Sequence, residues 1–111
     1  MATPSFIDCC GGPDLVWVRT LYESHHDQES LLCCAACRTY WFHRFHEYPG
    51  WSGGDDLTTW YTRLTPAEGE RLRDTADPSA EDLSFLRTRP GWMDDARGSR
   101  RVDGAPDHPH G

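Results

Sequence analysis

Five cysteines in 111 residues fall into three groups, Cys9-Cys10, Cys33-Cys34 and Cys37. Cys34-Ala35-Ala36-Cys37 is a CxxC, and a two-residue gap lets two thiolates converge on one tetrahedral ion. The run Cys9-Cys10-Gly11-Gly12 lies upstream and can close the other side. A small chain has a modest core and benefits from a staple of this kind. The grouping therefore points to a structural Zn²⁺ site that ties two turns together.

Four ligands close such a site. Cys34 and Cys37 form the first pair. Cys10 is the third ligand, because a glycine after it allows a positive-φ turn that aims N–H groups at sulfur. For the fourth, Cys9 is nearest in sequence, while Cys33, His25, His26 and His43 are alternatives. Cys33 follows the period-2 rule of a strand and faces away from Cys34.

The charge restricts the partners. Eighteen acidic residues against eleven basic ones give a net charge of −7, and every basic residue is arginine. GC-rich coding favours that usage, so a bacterial source is expected. An acidic chain without clustered cations is a poor non-specific nucleic-acid binder and suits a protein partner better. No run of about 18 apolar residues exists to span a membrane. The first residues carry neither a basic nor an apolar leader segment. A cytoplasmic protein with reduced thiols is expected, and the odd cysteine count speaks against a full disulfide framework.

Local patterning predicts an α+β fold. Leu15–Ser24 and Leu31–Cys34 are strands joined by a polar connection over residues 25–30. Arg38–Tyr48 is a strand with Tyr40, Phe42, Arg44 and His46 on one face and Trp41, His43, Phe45 and Glu47 on the other, so both faces are covered. Leu57–Leu64 is a further strand. Thr65-Pro66-Ala67-Glu68 opens a helix with a capping box and a proline in the first turn, running to about Ala76. Asp77-Pro78 opens a second short helix that Arg89-Pro90-Gly91 ends. From Asp94 the chain is polar and reads as disordered. The expected organisation is a flexible leader over 1–8, one domain over 9–93 and a disordered tail over 94–111. The expected core is Trp17, Leu21, Leu31, Trp41, Phe45, Trp60, Leu64, Leu72, Leu83 and Phe85.

The layout resembles the zinc-ribbon superfamily over about residues 7–48: a Cys-Gly turn at Cys10-Gly11, a β-hairpin, the knuckle Cys34-Ala35-Ala36-Cys37 and a following strand. Ribbons usually carry two CxxC knuckles, each often followed by glycine. Here Ile7 stands three residues before Cys10, and Arg38 follows Cys37. The resemblance implies a small antiparallel sheet with a zinc-ribbon-like hairpin, followed by two short helices. It also implies either a metal site or a remnant that keeps the hairpin without the ion.

No catalytic constellation emerges. His43 and His46 lie three apart in a strand and face opposite ways. Asp55-Asp56 reads as a turn, Trp51 as an aromatic folded over the sheet, and His108 and His110 as tail residues. The expected role is a non-catalytic, zinc-stabilised binding or regulatory module acting through a protein partner, such as an adaptor or immunity-type protein. A nucleic-acid-binding ribbon and a thiol redox protein using the CxxC are the alternatives.

Overall fold

The computed structural model describes residues 3–25, 27–48, 56–95 and 97–104. Its strands are β1 Leu15–Glu23, β2 Asp27–Cys34, β3 Tyr40–Tyr48, β4 Asp56–Arg63, β5 Pro90–Asp95 and β6 Gly98–Asp103. They form one antiparallel sheet in the order β1-β2-β3-β4-β5-β6. The helix α1, Pro66–Asp74, and two 3₁₀ segments, Pro78–Ala80 and Ser84–Arg87, lie between β4 and β5.

This corrects the expected fold of a small sheet followed by two helices and a disordered tail. After α1 the chain forms two 3₁₀ turns. Asp77 makes no side-chain cap hydrogen bond. Leu83 and Leu86, the buried residues there, are spaced three apart, which suits the 3₁₀ period. The polar C-terminal region contains the β5–β6 hairpin. Trp92, Met93 and Val102 supply its packing. Arg97 N–H bonds Asp95 Oδ1 at 2.9 Å, and Arg100 pairs with Asp95 at 3.0 Å. Gly98 turns the chain at φ 115°. Residues 105–111, with His108 and His110, lie outside the described residues. So do His26, Trp51 and Asp55.

Both sheet faces are covered. On the first, Leu21, Leu31, Phe42, Trp60 and Leu64 meet Leu72 of α1, Leu83 just before the second 3₁₀ segment and Leu86 within it. The capping box predicted for α1 is present: Glu68 N–H bonds Thr65 Oγ1 at 3.2 Å, and Thr65 N–H bonds Glu68 Oε1 at 2.8 Å. Arg19 of β1 grips the other end, donating to the carbonyls of Leu72, Arg73 and Thr75 at 3.3, 2.9 and 2.8 Å. A cation on the last carbonyls suits the helix dipole. Gly69 lies where an added Cβ would be 2.1 Å from Tyr40 Cγ, so this glycine lets α1 approach β3.

On the second face, residues 3–14 form a strap. Ile7 is buried against Leu32, Trp41 and Tyr61, and Phe6 stacks on Trp92 at 5.0 Å between centroids. The segment read as a flexible leader thus includes packed residues from Phe6 onward.

Two expected core residues need correction. Trp17 is 60% exposed. It pairs with Leu32 on the second face, and a register shift between Trp17 and Arg19 puts Leu21 on the first. Simple alternation would have placed Trp17 and Leu21 on one face, and this bulge breaks the rule. Phe45 is half-buried and in neither cluster, whereas half-buried Phe85 packs against the first-face core as expected.

The connection predicted over residues 25–30 is also shorter than expected, because β2 begins at Asp27. Asp27 and Glu29 are buried with Arg44, whose guanidinium reaches Asp27 Oδ1 at 2.7 Å and Glu29 Oε2 at 3.0 Å. His46 Nδ1 also contacts Asp27.

Candidate metal centre

The cysteines sit at the end of the sheet where β1 starts and β2 stops. The backbone there makes a tight knuckle. Arg38 N–H bonds the Cys34 carbonyl at 2.7 Å, and Cys34 N–H bonds the Thr39 carbonyl at 2.8 Å. Closing this turn puts Arg38 at φ 68°, in the left-handed region. Glycine takes this conformation most readily, and here a residue with a side chain adopts it. The strap is sewn to the same turn. Ala35 N–H bonds the Asp14 carbonyl at 2.7 Å, and Asp14 N–H reaches Cys34 Sγ at 3.4 Å.

These turns bring Cys9, Cys10, Cys34 and Cys37 together, with all four Sγ atoms within 4.8 Å of one another. Cys10 Sγ and Cys34 Sγ are 3.9 Å apart. Thiolates at metal–sulfur distances of about 2.3 Å in a tetrahedron have sulfur–sulfur edges of about 3.8 Å. The spacing suits a closed four-thiolate centre, and all four residues are free thiols. Four soft sulfur donors could hold a metal ion of the zinc, iron or copper(I) kind.

The surroundings favour thiolates unequally. Burial raises the Cys34 thiol, but N–H groups of Asp14, Cys37 and Ala36 more than offset it and leave it below its ordinary value. The Thr39 hydroxyl and N–H lead the effects that lower Cys37 to about 6. Thr39 Oγ1 is 3.2 Å from Cys37 Sγ. Burial pushes Cys9 up to about 12, against an opposing pull from the Trp41 indole. Trp41 Nε1–H is buried and meets no hydrogen-bond geometry among the described residues. A thiolate at Cys9 is the partner that donor lacks. At Cys10 the Gly12 N–H lowers the thiol, while burial and the neighbouring cysteines raise it to a net upward shift. Thiols this close suppress one another's ionisation, and a bound cation reverses that.

The other expected ligands lie elsewhere. Cys33 faces the first side of the sheet, opposite Cys34, with burial raising its thiol. His43 packs edge-on to Tyr61 at 4.8 Å on the second face, where burial lowers its imidazole to about 4. His25 is at the β1–β2 turn, the far end of the sheet. Gly11 does not take the positive φ expected of it; among the described glycines only Gly98 and Gly104 do.

The sequence reading missed a cleft of about 610 Å³ beside the strap, lined by Asp8, Trp41, Arg63, Arg89, Trp92 and Arg101 among others. Its arginines come from β4, the residue just before β5, and β6. No local motif announces them.

Comparison of the chain with family models, with curated proteins and with solved structures finds no match. Among the described residues no helix is long and apolar enough to cross a membrane.

Proposed function

We propose that this chain is a non-catalytic binding or regulatory module whose strap and knuckle are held by one structural Zn²⁺ on Cys9, Cys10, Cys34 and Cys37, and that it acts through a protein partner. The observation that carries the metal half is the convergence of four sulfurs from two separate turns, with backbone N–H groups directed at them. A closed set of four thiolates leaves no open position for substrate or water, which favours a structural over a catalytic ion. The partner half rests on the acidic net charge of −7 and the absence of a catalytic constellation in the sequence.

The lowered Cys37 thiol also suits a redox pair. Against that, a thiol oxidoreductase motif opens a helix after a strand, whereas this CxxC occupies a turn between β2 and β3. Metal content by mass spectrometry on untagged protein separates the two. One zinc per chain is expected, with loss of both the ion and cooperative folding in Cys34→Ser. A metal-free, folded protein with all thiols titratable would overturn the zinc reading. For the partner half, affinity capture from the source cell should recover one protein at stoichiometric yield. Capture of nucleic acid with a steep salt dependence would replace it with the nucleic-acid reading.

A further inference from the structure

The cleft beside the strap has a charge and a shape at odds with the rest of the molecule. In a chain of net charge −7, three guanidiniums and one carboxylate line it. Their engagement differs. Arg89 is committed: it holds the Glu68 carboxylate with both Nη atoms and lies 4.7 Å over the Phe85 ring. Arg101 lies 5.0 Å over Trp92 and reaches Asp8 only at 3.8 Å, with both side chains more than half exposed. Arg63 is exposed, and no carboxylate pairs with it among the described residues. Two guanidiniums are therefore available to a ligand. Below them the wall is apolar, with the Trp41 and Trp92 rings and the leucine and prolines at the β4–α1 and α1–β5 connections. Sites of a few hundred cubic ångströms with an apolar body and a few placed charges are the form that small-molecule sites take. Planar guanidiniums favour carboxylate and phosphate oxygens over other groups.

We propose that this cleft binds a small organic anion, a carboxylate or phosphate carried on an apolar body, with Arg63 and Arg101 holding the charge and Trp92, Pro66 and Pro90 receiving the apolar part. The site does not depend on the identity of the metal or on a protein partner. Glu68 keeps Arg89 as a fixed wall, so the ligand charge is met by the two less engaged arginines.

The test is a titration of the full chain, followed by the Trp92 and Trp41 indole N–H signals in ¹H–¹⁵N spectra. The probes are benzoate, phenyl phosphate, inorganic phosphate and benzyl alcohol. Benzoate or phenyl phosphate should shift the Trp92 signal saturably, and the tighter of the two identifies the head group. Benzyl alcohol, which lacks the charge, should bind at least about tenfold more weakly, the loss of one charge-assisted hydrogen bond or more. Arg63→Gln and Arg101→Gln should each weaken the anion by about tenfold or more. Both side chains are exposed, so these variants keep the fold, and the unchanged remainder of each spectrum verifies it. Equal binding of benzyl alcohol and benzoate would overturn the proposal, as would unchanged affinity in both arginine variants or no saturable shift with either organic anion. Inorganic phosphate binding as tightly as phenyl phosphate would also overturn it, because the apolar wall would then contribute nothing.

Discussion

On the α1 face of the sheet, eight buried apolar residues from strands, helix and 3₁₀ segments interlock. On the opposite face, among the described residues, Ile7, Leu32, Trp41 and Tyr61 form the buried cluster, and a strap of irregular chain covers them. The first face can hold itself by buried area, at about 25 cal/mol per Å². The second has less area to bury and gathers the cysteine cluster and the stacked Phe6–Trp92 pair. A layer without a regular element of its own relies on cross-links where a helix relies on its apolar stripe.

If the cross-link is a metal, removing it should separate the two faces. Structural zinc contributes on the order of 10 kcal/mol in small domains. Chelation should strip amide protection from residues 3–14 and the 34–39 turn first, while Leu31, Phe42 and Leu72 amides lose protection later. Hydrogen exchange with and without chelator reads this, and simultaneous loss on both faces would erase the distinction. The converse perturbation is Gly69→Ala. It drives a methyl group into the Tyr40 ring, and overpacking of this kind costs about 1–3 kcal/mol. Thermal melts should show the loss, with metal content unchanged.

An acid titration addresses the second face alone. Folding holds the His43 imidazole near 4 against an ordinary value near 6.5. The unfolded chain therefore takes up the proton first. Its contribution is full above pH 6.5 and is lost as pH falls toward 4, on the order of 3 kcal/mol at the limit. Thiolate protonation falls in the same window, so the diagnostic quantity is the difference between wild type and His43→Gln. The variant should have the flatter stability profile, and parallel profiles would show that His43 carries no such load. The smallest effect concerns the knuckle. Arg38→Gly removes a left-handed side-chain conformation and should raise stability by about 1 kcal/mol in denaturant unfolding.

How far the sequence foretold this molecule differs by region for physical reasons. Strands β1, β3 and β4 and the α1 capping box follow from local chemistry, namely β-branched and aromatic runs and a Thr-Pro-x-Glu start. The four converging sulfurs belong to residues singled out by the CxxC spacing, by the glycine after Cys10 and by the nearness of Cys9, though the place of Cys9 against its alternatives needed the folded backbone. The β5–β6 hairpin was illegible because only Trp92, Met93 and Val102 carry its packing, and edge strands otherwise look like solvated chain. The start of β2 was hidden because Asp27 and Glu29 read as loop residues until Arg44, on the neighbouring strand, neutralises them. The arginine cleft is assembled from β4, β5 and β6, and no window of sequence contains it.

The sheet order β1 through β6 follows the chain without a crossover. The hairpins therefore close over short connections, and loop closure is long at two steps, one of them the β4–β5 connection over residues 64–89 that carries α1 and the 3₁₀ segments. The other is the strap, which must wait for a turn some two dozen residues later. Cys37 precedes α1, β4, β5 and β6 in the chain. A metal-binding nascent chain could close its four-sulfur cluster once the β2–β3 turn has left the ribosome, before the helix that covers the other face exists. The cross-link would then act as an early anchor for assembly, fixing the register of β1 against β2 while the larger core is still unmade.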